Sequence, residues 1–336
     1  MMLRTLSLVV AGALLCLSPA HAADALQAEV KIFKEQPVIE FRSGDQLVTR
    51  YYYGESVAKP YFWPMIAPNG APVTRAWPME KGTTGETTDH VHQKSAWFCH
   101  GDVIPEGLEI TSKINHVTGI DFWSETKGHG KIVCTKVEKP VVDASGVHVA
   151  TTNEWRTAEG VPILLERRTI HLSESQGGRL VTLDIDLTPT DYAITFGDTK
   201  EGSMGVRVND KIAVKPGMGN YRNAEGKLGE SQVWGQKSHW CDYFGKVDDK
   251  TAGISVFDDP RNPHPATWHA RGYGLMAANP FGRAKSGFPA QKGMTDLVKL
   301  AKGEHLKLRY GLFLHDGDTD AGKVEKAFTA FAPKAE

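Results

Sequence analysis

Arg179-Leu180-Val181-Thr182-Leu183-Asp184-Ile185-Asp186-Leu187 is the stretch of this sequence that indicates the fold most directly. From Leu183 onward, apolar residues alternate with Asp184 and Asp186. Because successive side chains of a β-strand point to opposite faces, the alternation predicts a strand with one apolar and one polar face. Such two-sided strands are typical of antiparallel sheets.

Similar runs rich in apolar and β-branched residues follow one another along most of the chain. Turn sequences such as 143–146 and 176–178 separate them. The further strands are expected at 30–33, 38–41, 47–53, 131–138, 147–155, 163–172, 192–196, 253–257, 273–277 and 306–314. One helix is expected near the C-terminus, starting around Asp318–Asp320, with Val324, Ala327, Phe328 and Phe331 on one face. The sequence therefore predicts an all-β fold, a large antiparallel sandwich or barrel with a short C-terminal helix.

The first 22 residues have the pattern of a secretory signal peptide. Arg4 precedes the apolar run 6–17, and Ala20-His21-Ala22 supplies a small-x-small cleavage site. Leu15 before Cys16 is too large for lipoprotein processing. We therefore expect export to the periplasm or the extracellular space. Because no internal repeat or linker divides the rest of the sequence, we expect residues 23–336 to form a single domain.

Charge and cysteine content exclude several classes of partner and scaffold. The 39 basic and 40 acidic residues nearly balance, and no basic stripe stands out. Nucleic acids and anionic membranes are therefore poor partners, and no run outside the signal peptide is long enough to span a bilayer. Cys99, Cys134 and Cys241 are too few for a disulfide scaffold. The sequence is compatible with two alternatives, one disulfide bridge with one thiol left over or three unpaired, buried thiols.

The segment Asp89–Asp102 is the densest group of polar residues, with three of the chain's thirteen histidines. If it is extended, His90 and His92 share a face and could bind one ligand or, with His100 or Asp102 closing the site, one metal ion. The alternative is a hydrogen-bonded network without metal. His100 and Asp102 would also share a face, as an acid–base pair or as a satisfied histidine beside a turn.

A second group of polar residues lies in the glycine-rich stretch 197–208. Glu201 is a candidate acid or base, and Arg207 a candidate clamp for carboxylate or hydroxyl groups. No Gly-Lys-Ser/Thr triplet is present, so this is not a phosphate loop. The alternative is a charged hairpin turn.

A third group supplies candidate ligand-binding residues near the C-terminal half. Asp258, His269 and Asn279 follow short strands and recur beside tryptophans. Flat aromatic faces beside such polar groups suit sugar rings, and Trp97 is the first candidate for stacking. The alternative is that these aromatic residues are core.

Several motifs together resemble the PmoA-like family, often labelled "methane oxygenase PmoA". They are 60–64 (PYFWP), 89–92 (DHVH), 97–102 (WFCHGD), 121–123 (DFW), 199–205 (TKEGSMG), 268–269 (WH) and 278–282 (ANPFG). The family pattern usually has His-x-His-His where this chain has Gln93 in last place. The sequence has no segment that resembles the transmembrane helices of the methane monooxygenase subunit of that name. The resemblance therefore does not imply methane oxidation. The resemblance implies a galactose-mutarotase-like β-supersandwich, with a histidine acid and a carboxylate base on its concave face.

Three hypotheses for function follow from these residues. The first is a carbohydrate-active enzyme without cofactor, acting by epimerisation, hydrolysis or lyase chemistry. His92 or His100 would be the acid and Glu201 or Asp102 the base; the groups expected to bind substrate are His90, Trp97, Arg207, Asp258, His269 and Asn279. The second is a copper- or zinc-dependent enzyme or oxygenase using His90, His92 and His100. The third is a non-catalytic sugar-binding protein.

Overall fold

The computed structural model describes residues 25–332. The predicted signal peptide lies outside the described residues. Strands make up 45% and helices 6% of the structure. The predicted all-β antiparallel sandwich with a short C-terminal helix is therefore confirmed.

Twenty strands and two α-helices form the described part of the chain. The strands are β1 (Leu26–Phe33), β2 (Gln36–Ser43), β3 (Gln46–Tyr52), β4 (Tyr61–Phe62), β5 (Ala96–His100), β6 (Val103–Pro105), β7 (Lys131–Val137), β8 (Val141–Asp143), β9 (Gly146–Arg156), β10 (Pro162–Ser175), β11 (Gly178–Pro189), β12 (Ile194–Phe196), β13 (Gly202–Arg207), β14 (Asn220–Asn223), β15 (Trp240–Val247), β16 (Lys250–Asp258), β17 (Thr267–Trp268), β18 (Leu275–Asn279), β19 (Val298–Leu300) and β20 (Leu306–Asp316). The α-helices are α1 (Glu230–Val233) and α2 (Val324–Phe331), and two short 3₁₀ helices lie at Ala284–Ser286 and Pro289–Gln291.

The first large sheet has eight strands in the order β1-β2-β3-β4-β5-β13-β18-β17. Its central strands β5, β13 and β18 are antiparallel neighbours, with Phe98 opposite Met204 and Met204 opposite Ala278. Because cross-strand partners share a face, these three residues lie on one side of the sheet and Trp97 lies on the other.

The second large sheet has nine strands, eight of them in the order β14-β15-β16-β20-β11-β10-β9-β7, with β8 paired to β9. The alternating stretch lies in β11, where Leu183, Ile185 and Leu187 are buried and the two aspartates are half-buried. Strand β20, the last in the sequence, lies in the interior of this sheet between β16 and β11. A small third sheet has the order β19-β12-β6.

One hydrophobic core lies between the two large sheets. Phe98 of β5 contacts Trp155 of β9 and Tyr310 of β20, with ring centroids 6.0 Å apart in both pairs. The face of the first sheet that carries Phe98 is therefore the inner face. The opposite face, which carries Trp97 and Arg207, is called the outer face below.

The C-terminal helix packs on the second sheet but begins later than expected. Val324, Ala327 and Phe331 are buried against Phe257 and Phe313, as their spacing predicts. The helix starts at Val324 because the preceding residues form a turn. In this turn the Asp318 carboxylate accepts hydrogen bonds from the backbone N–H groups of Asp320 and Ala321. The expected start around Asp318–Asp320 is wrong.

Two further findings bear on the sequence predictions. No helix among residues 25–332 is long and apolar enough to cross a membrane. Cys99, Cys134 and Cys241 are all unpaired thiols, the first and last of them buried.

Candidate functional site

Two buried arginines fix the loop that carries His90 and His92. Nη1 of Arg75 and Nη2 of Arg207 lie 2.5 and 2.9 Å from the same carboxylate oxygen of Asp89. Nη2 of Arg75 also donates to the backbone carbonyls of Asp89 and His90. Both guanidinium groups are fully buried, whereas the Asp89 side chain is 43% exposed. The neighbouring charges hold the pKa of Asp89 at about 2, against the effect of its partial burial.

Gln93 is part of the same network. Its Oε1 accepts a hydrogen bond of 2.6 Å from Nη1 of Arg207. The amide oxygen therefore satisfies a buried guanidinium at the position where the family resemblance leads one to expect a histidine. Arg207 itself is enclosed by protein groups and positions the loop.

The two histidines meet in a turn and not on an extended strand. The backbone N–H of Gln93 donates to the carbonyl of His90, and β5 begins only at Ala96. The expectation that His90 and His92 share a strand face is wrong, but their rings are adjacent, with centroids 5.7 Å apart at 79°. His90 also stacks on Tyr273, with centroids 5.2 Å apart and planes within 7°.

Glu201 and His269 lie together on the outer face. Oε2 of Glu201 is 4.0 Å from Nδ1 of His269, and the Glu201 side chain is one-third exposed. That nitrogen lies 3.0 Å from the carbonyl oxygen of Lys200. Because a carbonyl only accepts hydrogen bonds, Nδ1 carries the proton and Nε2 has the free lone pair.

The environment shifts the pKa values of both groups. Burial raises the pKa of Glu201 to about 7, and the nearby Asp121 adds to the effect. Burial lowers the pKa of His269 to about 3, and the positive charges of Lys200 and Arg271 act in the same direction. At neutral pH the carboxyl group is therefore about half protonated, while the imidazole is neutral.

Tyr273 links these residues electrostatically to the histidine loop. The charge of Glu201 raises the pKa of Tyr273, on top of the larger effect of burial. The guanidinium carbon of Arg207 lies 4.7 Å from the centroid of its ring. We call His90, His92, Glu201, His269 and Tyr273 the site cluster. Tyr273 is not among the predicted site residues. The sequence places it at the start of a predicted strand, whereas in the structure it lies in the turn before β18.

A second charged network lies beside His92. Glu125 pairs with the buried Lys59 and with Lys94, at 3.2 and 2.5 Å. Burial and the Lys59 charge together lower the pKa of His92 to about 4. Within residues 25–332 the His92 ring has no hydrogen-bond partner, so both of its nitrogens are available to a ligand. No motif or spacing in the sequence predicts this network.

His100 and Asp102 lie apart from the site cluster. His100 is on the inner face, fully buried between Phe196 and Phe281, with Nε2 2.8 Å from the carbonyl oxygen of Gly197. Asp102 follows the end of β5 and accepts a hydrogen bond from the backbone N–H of Gly119. No hydrogen bond joins the two side chains in the part of the chain that the structure describes, so the expected His–Asp pair is not formed.

Three other expected substrate-binding residues are engaged within the protein. Trp97 is fully buried and packs edge-on against Trp123, 5.0 Å away. Asn279 is buried and donates to the carbonyl of Thr199, which holds the loop before Glu201. Asp258 lies in the second sheet, where its two oxygens accept from Asn262 and Ala266.

The metal hypothesis requires three ligands that converge. No group of three or more His, Cys, Asp or Glu side chains placed to hold a metal ion occurs within residues 25–332. His90 and His92 are adjacent, but His100 faces the opposite side of the sheet.

A family model described as "Family of unknown function (DUF6807)" matches residues 38–329, which is most of the chain. No curated protein matches significantly.

Proposed function

The chain belongs to the DUF6807 family, a family of unknown function, and we propose that it is an exported carbohydrate-active enzyme using acid–base catalysis. Glu201 is the acid and a neutral histidine of the site cluster, His92, is the base. The enzyme acts on a sugar or glycoside, by epimerisation, hydrolysis or elimination.

The observation that carries the proposal is a chain of neighbouring titratable side chains. Glu201 lies beside His269 and its charge acts on Tyr273, and His90 lies against both Tyr273 and His92. These residues come from three separate parts of the chain. Clusters of titratable groups with shifted pKa values are concentrated at functional sites. Two fully buried arginines bind one loop of this cluster through several hydrogen bonds, which indicates that the loop position matters.

The order of the pKa values assigns the roles. Glu201 has a pKa of about 7 and His92 a pKa of about 4. At neutral pH about half of the Glu201 carboxyl groups carry the proton and the His92 imidazole is neutral, so Glu201 donates and His92 accepts. This reverses the assignment expected from the sequence, in which a histidine was the acid.

The shape of the cluster supports a sugar as substrate. The exposed ring of His90, held parallel to Tyr273, offers a flat face, and the imidazole and carboxyl groups of the cluster offer hydrogen-bond donors and acceptors. A hydroxylated ring requires this combination, with its C–H face on that flat face. The reaction then needs one proton donated to an oxygen and one removed from an oxygen, a carbon or a water molecule.

The proposal is tested by assaying the protein on a panel of sugars, glycosides and uronic-acid polymers. Glu201→Gln keeps the shape of the side chain but removes the proton, and should lower kcat about 10²–10⁴-fold. Glu225→Gln, at an exposed position away from the cluster, is the matched control and should retain the full rate.

Two results would contradict the proposal. One is an absence of both turnover and binding for every compound. The other is a Glu201→Gln variant that turns over substrate as fast as Glu225→Gln. Binding without turnover would instead support a sugar-binding protein.

A further inference from the structure

Two cationic side chains flank the pair formed by Glu201 and His269. Lys200 immediately precedes Glu201 in the chain. Arg271 follows two residues after His269, and both lie on one side of an antiparallel hairpin that turns at residues 272–274. Because residues two apart in an extended segment point to the same face, the side chains of His269 and Arg271 share the outer face.

The charges of Lys200 and Arg271 act on the same two groups. Both oppose the rise in the pKa of Glu201 that burial causes, and both lower the pKa of His269. The charge of Arg271 also opposes the rise in the pKa of Tyr273. The two cationic head groups therefore lie within electrostatic range of the proposed proton donor and of its neighbours in the site cluster.

Glu230 holds the guanidinium group of Arg271 from one side. Its Oε1 lies 3.0 Å from the buried Nε of Arg271, and its Oε2 accepts a hydrogen bond from the backbone N–H of Gly272. Nη1 and Nη2 of Arg271 are accessible, and neither has a hydrogen-bond partner within residues 25–332. The guanidinium group is therefore fixed at Nε and has both of its Nη groups left for a ligand.

Lys200 supplies a second unused donor. Its side chain is exposed, and its ammonium group makes no ion pair or hydrogen bond in the part of the chain that the structure describes. Its backbone carbonyl accepts the hydrogen bond from Nδ1 of His269, which fixes the backbone of Lys200 beside that histidine. An ammonium group and a guanidinium group with unused N–H donors are the groups that bind a carboxylate or a sulfate.

The charges near the other end of the site cluster act in the same direction. Lys59 and Lys94 both pair with the one carboxylate of Glu125, and Lys59 lowers the pKa of His92 more than Glu125 raises it. Asp121 is a nearby carboxylate that acts on Glu201, but its Oδ1 already accepts hydrogen bonds from two backbone N–H groups. The surroundings of the cluster therefore favour a negatively charged ligand.

We infer that the ligand of the site cluster is an acidic sugar, whose carboxylate or sulfate group is bound by Lys200 and Arg271. The inference rests on the proposed function for the sugar ring, and it adds the charged substituent and the two residues that select it. Lys200 and Arg271 bind this substituent and take no part in proton transfer.

Calorimetric titration tests the inference on the full-length Glu201→Gln protein, so that turnover does not interfere. The acidic probes are glucuronate, galacturonate, digalacturonate and galactose 6-sulfate, and the neutral probes are glucose and galactose. At least one acidic sugar should bind roughly tenfold or more tightly than the neutral sugars, and its affinity should fall as the salt concentration rises. The carboxylate and sulfate probes show which of the two anionic groups is bound.

Adding Lys200→Gln and Arg271→Gln to this parent should weaken binding of the acidic sugar roughly tenfold or more and leave the affinity for neutral sugars unchanged. Lys326→Gln with Arg222→Gln is the matched control and should bind like the parent. Lys326 is exposed on α2, and Arg222 is 33% exposed and paired with one carboxylate, as Arg271 is at 35%.

Lys200→Gln alone covers the case in which circular dichroism shows that the double variant does not fold. It changes one exposed side chain and should weaken binding of the acidic sugar roughly threefold. Unchanged affinity in the folded double variant, or in Lys200→Gln if the double variant is unfolded, overturns the inference. A parent that binds no probe, or that binds acidic and neutral sugars equally, overturns it as well.

Failure of this inference can be told apart from failure of the proposed function. A wild-type protein that turns over only neutral sugars, at a rate that depends on Glu201, would overturn the inference and leave the proposed function standing. A wild-type protein that binds acidic sugars through Lys200 and Arg271 without any turnover would refute the proposed catalysis and support the inference.

Discussion

Asp89 is the residue on which the geometry of the candidate site depends. Its carboxylate receives hydrogen bonds from Arg75 and Arg207, and its other oxygen lies 2.7 Å from Nδ1 of His90. The positions of His90 and His92 therefore depend on two guanidinium groups that are themselves fully buried. A planar guanidinium binds several acceptors at once in a fixed geometry, which an ammonium group cannot do.

This dependence predicts the effect of Arg207→Lys. The substitution keeps the charge but loses the simultaneous contacts with Gln93 and Asp89, and should lower the free energy of unfolding by about 1–3 kcal/mol. Urea unfolding measures it. Arg222→Lys, in the exposed pair with Asp320, is the control and should change stability by less than about 0.5 kcal/mol. Equal effects in the two variants would show that the network does not hold the loop.

The proposed roles of Glu201 and His92 predict a bell-shaped dependence of kcat/KM on pH. The rate should rise as pH increases through about 4, where His92 loses its proton, and fall above about 7, where Glu201 loses its own. In Glu201→Gln the residual activity should lack the alkaline limb. An alkaline limb that persists unchanged in this variant would assign the proton donor to another group.

At the scale of elements, a buried charged group joins β15, β20 and the turn before α2. Asp242 lies 2.9 Å from Nε2 of His315 and also accepts hydrogen bonds from Ser255 and Thr319. Asp242 and His315 are both almost completely buried. The pKa of Asp242 is lowered by the His315 charge and the surrounding hydrogen bonds despite its burial, and the carboxylate raises the pKa of His315 despite burial.

Asp242→Asn should therefore destabilise the protein by about 3–5 kcal/mol. Because the pKa of His315 is raised in the folded protein, its protonation stabilises the fold below about pH 6.5, the pKa of histidine in the unfolded chain. This stabilisation is lost as the pH rises through the pKa of His315 in the folded protein. Because the pKa of Asp242 is lowered in the folded protein, its ionisation stabilises the fold above about pH 3.9, the pKa of aspartate in the unfolded chain. This stabilisation is lost as the pH falls through the pKa of Asp242 in the folded protein. Urea unfolding should show the largest difference from wild type between about pH 4 and 6.5.

A difference between wild type and Asp242→Asn that stays constant from pH 3 to pH 9 would contradict this account. Asp248→Asn, in an exposed surface pair with Lys211, is the control. Its effect on stability should be small at every pH, since surface ion pairs contribute about 0–1 kcal/mol.

Local patterns predicted the elements better than they predicted the site. The alternation in β11 is a property of neighbouring residues, and the strand that it predicts is confirmed. Strand β5 is buried on both faces, so alternation alone does not tell which of Trp97 and His100 faces outward. Tyr273 and Glu125 reach the site only because distant segments are brought together over the outer face, and no local pattern contains that information.

At the scale of the whole molecule, one continuous core joins the two large sheets. Residues of β5, β9 and β20 meet in it, and it extends from Val38 to Leu314. A core shared in this way makes the stability of each sheet depend on the other.

This predicts a single cooperative unfolding transition. Tryptophan fluorescence and far-ultraviolet circular dichroism should give the same midpoint in urea, and the calorimetric and van't Hoff enthalpies should agree. Two resolved transitions, or midpoints that differ between the two probes, would show that the sheets unfold independently.

The interior place of β20 has a consequence for the order in which the protein is made. This strand is translated after every other strand that the structure describes, yet β11 and β16 both pair with it. Until β20 emerges from the ribosome, which synthesises about 5–20 residues per second, β11 and β16 each lack a strand partner on one side. Unpaired strand edges promote aggregation, so a partly formed second sheet is exposed to aggregation until β20 has been made. The second sheet of this protein can therefore close only after β20 has been translated.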